Sequence, residues 1–137
     1  MEKGVILDTK AVVSLLRNDL NLIKFISEAP SIGISVITQI EFLSFSNLTE
    51  NDIKLFWKFV ERINVFSILA SDIAFVNKII EVRKKYKLKL PDAIIATTAI
   101  INQAVLITAD GVFNKITGLE IRFSTSTLTF HSLNLIS

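Results

Sequence analysis

A chain of 137 residues has room for one compact domain and little beyond it. Half of the residues are hydrophobic and 20% are charged, which excludes a disordered chain, and the absence of cysteine excludes disulfides, thiolate chemistry and zinc–thiolate centres together. A net charge of +2 with a pI near 9.0 is too weakly basic to argue for or against nucleic acid, so any such argument must come from local patterns.

The first pattern is at the start. Val5-Ile6-Leu7 is a short apolar run ending at Asp8, the pattern of a strand buried on both faces. Only four apolar or small residues separate Lys3 from Asp8, too few for a signal-peptide core. Residues 11–16 suit a short helix, and Asn18-Asp19 caps a second one running to about Ser27, ended by Ala29-Pro30. Ile32 to Val36 reads as a second buried strand, followed by helical spacing from Thr38 to Phe45.

Thr49-Glu50-Asn51-Asp52 has the spacing of a capping box. In the helix it opens, Ile53, Phe56, Trp57 and Val60 fall at i, i+3, i+4 and i+7, which predicts one buried stripe and makes Trp57 a core residue rather than a base-stacking one. Val65 to Ile68 is a third strand. Ser71 caps the next helix, with two apolar rows (Ile73, Val76, Ile80 and Phe75, Ile79, Val82), and Pro91 opens a further helix to about Asn102. Val105-Leu106-Ile107 is a fourth strand, and Glu120 to Phe123 a fifth after the turn at Gly118. From Ser124 the Ser- and Thr-rich tail is read as an edge strand or a loose end, with His131 as a surface residue.

Strands alternating with helices predict an α/β fold, a mostly parallel central sheet flanked by helices, in a single domain over 1–137. No apolar run approaches the roughly 20 residues that span a bilayer, so a soluble cytoplasmic protein is expected. The mean hydropathy of +0.52 exceeds what a small core needs; a second copy of the chain or another protein would cover the excess. In the run Arg83 to Lys89, Arg83 and Lys84 are read as helix-end cations, leaving Lys87 and Lys89 for phosphate.

Four carboxylates stand out by position, although each has an ordinary explanation. Asp8 or Thr9 could cap the following helix, Glu41 lies three residues after Thr38 as in a capping box, Asp92 follows Pro91 in a first helical turn, and Asp110 precedes Gly111 in a turn. Yet Asp8 and Asp110 end parallel strands, and Glu41 is expected in the first turn after the second strand. Ligands of open α/β sheets collect at that carboxyl edge. Asp92 joins them if its helix begins on the same side. Such a group without matching cations repels itself, and oxygen ligands favour Mg²⁺ or Mn²⁺.

At these residues the sequence resembles the PIN-domain family, in particular the VapC-type toxins. The matching blocks are Val5 to Thr9, Ile34 to Leu43 around Glu41, Leu88 to Ala96 around Pro91-Asp92, and Leu106 to Asp110 with Phe113 and Ile116 to Leu119. Four blocks in order make a specific match. The resemblance implies a three-layer PIN-like fold and metal-dependent endonuclease activity on RNA. For the toxin branch it also implies a homodimer and an antitoxin partner. On that footing Asp8, Glu41, Asp92 and Asp110 are expected to hold Mg²⁺ or Mn²⁺ and serve catalysis. Thr9 and Thr108 would orient carboxylates or waters, and Lys10, Lys87 and Lys89 are candidates for contacting RNA phosphates.

Two positions depart from the family pattern. Lys10 stands where relatives commonly have Asn or Ser, and Val112 where many carry a further acid. These departures motivate the alternative of a catalytically weak or inactive PIN-like module that binds RNA or protein. A response-regulator receiver fits poorly, because Glu2-Lys3 is too early and unlike its paired acids.

Overall fold

The computed structural model describes residues 2–122. Within them the chain forms β1 (Val5–Leu7), α1 (Thr9–Leu16), α2 (Leu20–Ser27), β2 (Ile32–Ser35), α3 (Val36–Leu43), α4 (Glu50–Val60), β3 (Asn64–Phe66), α5 (Ile73–Tyr86), α6 (Leu90–Ile101), β4 (Val105–Ile107) and β5 (Ile121–Arg122), with a 3₁₀ turn at Gly111–Lys115. The five strands make one sheet in the order β3-β2-β1-β4-β5, and every pairing is parallel. The expected α/β architecture with a parallel central sheet is what forms.

Alternation along the strands builds a core on each face. Ile6 and Leu106 face one layer with Phe75, Ile79 and Val82 of α5 and Ala93 to Ala99 of α6. Val5, Leu7, Val105 and Ile107 face the other, against Val12 and Val13 of α1, Leu22 and Ile26 of α2, Phe42 of α3 and Phe56 of α4. Three layers result, each large side chain contributing on the order of 1.5–3 kcal/mol by burial. Gly33 is required where β2 passes between neighbours, since a Cβ there would lie 2.6 Å from the Phe66 ring and 3.1 Å from the Asn64 carbonyl oxygen.

Several sequence expectations are corrected. Trp57 is not core: it is 44% exposed and Ile53 is 37% exposed, while Phe56 alone of α4 is fully buried, stacked on Phe42 at 4.6 Å. The row actually used is Phe56, Phe59 and Val60, so the amphipathic stripe is rotated from the spacing read in sequence. On α5 the row Phe75, Ile79, Val82 is buried, whereas Ile73 and Ile80 are exposed. That helix is capped by Asp72, not Ser71. β3 is shorter than the expected run, ending at Phe66. Phe123, the Ser- and Thr-rich tail and His131 lie outside the described residues. No helix among the described residues is long and apolar enough to cross a membrane.

Candidate functional site

The sheet order reverses at β1. The chain moves from β1 to β2 to β3 on one side and then returns to place β4 on the other. In open α/β sheets the crevice beyond the strand ends at such a reversal is where ligands bind. Asp8 immediately follows β1 and Thr108 immediately follows β4. The register pairs Leu7 with Ile107, which sets Asp8 and Thr108 side by side.

That adjacency fixes Asp8. The Asp8 amide donates to the Ile107 carbonyl oxygen at 3.1 Å, and the Thr108 hydroxyl donates to Asp8 Oδ2. Asp8 Oδ1 accepts the Ala11 amide at 2.8 Å, making Asp8 the N-cap of α1. A carboxylate oxygen carries two lone pairs, so each keeps one for another ligand. Thr108 also receives the Asp110 amide on its Oγ1 at 3.0 Å, while Asp110 Oδ1 caps the 3₁₀ turn through the Val112 amide at 3.0 Å. One hydroxyl thus ties the two strand-end acids together.

Glu41 arrives differently from the sequence expectation. Ser35, rather than Thr38, caps α3, and the helix starts at Val36, so Glu41 is in its second turn and takes no part in a capping box. Thr9 Oγ1 donates to Glu41 Oε1 at 2.6 Å and lies 3.5 Å from Thr38 Oγ1. Asp92 stands in the first turn of α6, where the helix dipole favours a negative charge.

Asp8, Glu41, Asp92 and Asp110 all line one cavity of about 160 Å³, with Thr9, Lys10, Phe45 and Ile95. None of the four acids takes part in an ion pair among the described residues. Burial pushes Asp8 up to about 6, the Thr108 and Ala11 hydrogen bonds pulling the other way and Asp110 adding repulsion. Asp92 is also raised, first by burial and then by the charges of Asp110 and Glu41. Lys10 acts in the opposite sense on both, weakly, and forms no ion pair among the described residues.

Not every candidate belongs to this cavity. Lys89 is the N-terminal flanking residue of α6 and lowers Asp92 by its charge, whereas Lys87 terminates α5 in the left-handed conformation (φ 53°). Both are exposed and neither lines the cavity. Val112 packs against the α5–α6 core instead of entering the site. Sequence reasoning missed Thr38, which is fully buried beside Thr9, and the apolar walls Phe45 and Ile95. Ile95 was findable, one helical turn beyond Asp92; Phe45 carries no local signal.

The donor set suits a hard divalent cation, being carboxylate oxygens in mutual repulsion with no competing thiolate or imidazole. Among the described residues no three His, Cys, Asp or Glu form a ready-made ligand set for a metal ion. Mg²⁺ commonly keeps several waters and takes one or two carboxylates directly, so a wide ring of acids remains compatible with it.

A sequence profile of the PIN domain matches residues 5–119. No curated protein sequence matches the chain. Among solved structures, a toxin–antitoxin complex from Klebsiella pneumoniae is similar with a TM-score of 0.69 and 26% identity, over 84% of this chain and 94% of that one. VapBC-1 from nontypeable Haemophilus influenzae gives 0.70 and 26%, over 88% and 97%. VapBC2 from Rickettsia felis, bound to a promoter DNA fragment, gives 0.72 at 21% identity, over 88% and 98%, a likeness of fold. With the profile covering nearly all of the described residues and four acids gathered at the sheet reversal, the chain belongs to the PIN-domain family.

Proposed function

We propose that the chain is a metal-dependent endoribonuclease and the toxin member of a toxin–antitoxin pair. The observation that carries this reading is the convergence of four unpaired carboxylates, from four separate segments, on one cavity. Asp8, Glu41 and Asp92 are assigned to Mg²⁺ or Mn²⁺, directly or through water, with Asp110 completing the set. When bound, the cation supplies neutralisation of phosphate charge and a water acidic enough to attack a phosphodiester near neutral pH.

The chain's own residues do the rest. Thr108 and the Ala11 amide hold the Asp8 carboxylate in one orientation, and Thr9 does the same for Glu41. Lys10, in the same cavity, offers an ammonium to an RNA phosphate, and Lys89 at the start of α6 offers a second; Lys87, exposed at the end of α5, is assigned a further phosphate contact. Phe45 and Ile95 close an apolar wall that limits water around the charges. With no cysteine and one histidine in the whole chain, no protein nucleophile is assigned.

The toxin assignment draws on relatives solved as toxin–antitoxin complexes at 26% identity. A partner antitoxin and a second copy of the chain would cover the exposed Trp57 of α4 and Ile73 and Ile80 of α5. Such a toxin acts on RNA in the cytoplasm.

The test is cleavage of a panel of single-stranded and looped RNAs by purified protein. Cleavage should require Mg²⁺ or Mn²⁺, stop with EDTA, and vanish in an Asp92→Asn protein that melts like the parent. Concentrated protein leaving the whole panel intact with both metals would favour a catalytically silent RNA- or protein-binding module. The presence of Lys10 among the four acids is the observation on that side.

A further inference from the structure

A second cavity, of about 250 Å³, opens beside the four-acid site and is lined by Thr108, Ala109, Asp110, Gly111, Asn114 and Ile121. Asp110 lines both cavities, so the two are neighbours that share a residue. The volume falls below the about 300–1,000 Å³ of sites for drug-sized ligands and suits one flat ring. Its chemistry is mixed. Ala109 and Ile121 give apolar surface, and the Asn114 carboxamide has no hydrogen-bond partner among the described residues. Gly111 adds no side chain to this wall, and a Cβ there would meet only Asn114 Nδ2, at an ordinary contact distance of 3.7 Å. The larger cavity at the amino ends of β1 and β2, around Gly4, Ser31 and Asn64, shares no wall with the acids.

We propose that the cavity bounded by Asp110, Gly111 and Asn114 is a subsite for one unstacked nucleobase next to the scissile phosphate, with Asn114 reading its edge. This rests on the ribonuclease reading above. Sequence-specific recognition of RNA works on splayed bases, whose faces rest on apolar or planar groups and whose edges meet side-chain donors and acceptors. A carboxamide has one acceptor and two donors, and pairs with a base edge that offers both. A base seated against Asp110, which also lines the four-acid cavity, belongs to the nucleotide flanking the bond that is cut. Asn114 is thus a specificity-determining residue, outside the metal-binding set.

The test is cleavage of a randomised RNA pool in Mn²⁺, with the new ends sequenced. The parent should show a base preference at one position beside the cut. Asn114→Ala should flatten that preference by about tenfold, within the range for one side-chain-to-base pairing, while cleavage of disfavoured sequences stays near the parental level. Asn114→Asp retains acceptors only and should shift the preference toward guanine, whose N1–H and N2–H₂ are adjacent donors. A preference unchanged in Asn114→Ala, or an equal loss on every sequence, would overturn the proposal. The same comparison by equilibrium binding of fluorescein-labelled hexanucleotides, in an Asp92→Asn background with Mn²⁺, separates this idea from the nuclease reading. If the parent cuts no RNA, the nuclease reading fails; a base preference in binding that disappears with Asn114→Ala still upholds the subsite, and binding without base preference overturns it.

Discussion

At Asp8, burial and charge pull against each other. Its carboxyl is pushed up to about 6 from 3.8, chiefly by burial, although Thr108 and Ala11 both stabilise the ionised form. Between pH 4 and pH 6 the folded protein therefore holds a proton that the unfolded chain has released, so stability falls as pH rises through that window. Above it the full cost of the buried charge is present, on the order of 3 kcal/mol for a shift of about two units. Asn at this position keeps an acceptor for the Ala11 amide and can donate to Thr108. In EDTA at pH 7.5, Asp8→Asn should therefore unfold at higher urea than the parent, with the difference vanishing near pH 4; a variant less stable at pH 7.5 would mean that the charge is compensated. Lys10 poses a second question at this scale. Lys10 lines the cavity with the acids, and its charge lowers Asp8 and Asp92 without a direct pair among the described residues. A cation in that place competes with metal for the same charge. Lys10→Asn should tighten Mn²⁺ binding in a calorimetric titration, each tenfold gain being about 1.4 kcal/mol. Equal affinities at equal ionic strength would leave Lys10 without a role in the metal site.

The elements explain what could be read from sequence and what could not. The strand-end acids were legible because a short apolar run ending in Asp is a local pattern, and the parallel sheet puts all such ends on one edge. Glu41 lines the cavity with the other acids, but not from the first helical turn where it was expected. The capping spacing from Thr38 suggested a first-turn position, but Ser35 starts α3 earlier and leaves Glu41 to the Thr9 hydroxyl. Trp57 failed because a stripe at i, i+3, i+4 fits two rotations of a helix, and only the partner, Phe42, decides between them. Thr38, Phe45 and Asn114 carry no signal along the chain, since their neighbours are set by tertiary packing. Gly33 gives the sharpest test of the packing that carries the site. β2 threads between Ile6 and Phe66 with no room for a Cβ, so Gly33→Ala should cost about 1–3 kcal/mol of unfolding free energy in urea, as overpacked cores do. An unchanged midpoint would mean that the sheet yields there without cost.

At the scale of the fold, two cores among the described residues hold a five-stranded sheet whose order reverses at β1, and that reversal brings acids from residues 8 to 110 into one cavity. The fold class followed from alternating strand and helix patterns, but the reversal did not, because strand order is decided by crossovers that leave no trace in local periodicity. The central claim is that the four carboxylates act as a unit on RNA. Groups acting as a unit lose function together, so removing a second costs little once the first has gone. The direct measurement is the rate of RNA cleavage in saturating Mn²⁺ for Asp8→Asn, Asp92→Asn and the double variant, each with its fold checked by thermal melting. The account predicts that each single change takes cleavage close to the EDTA background and that the double variant is scarcely slower than either. Near-parental rates in a single variant, or partial losses that simply multiply in the double, would contradict it.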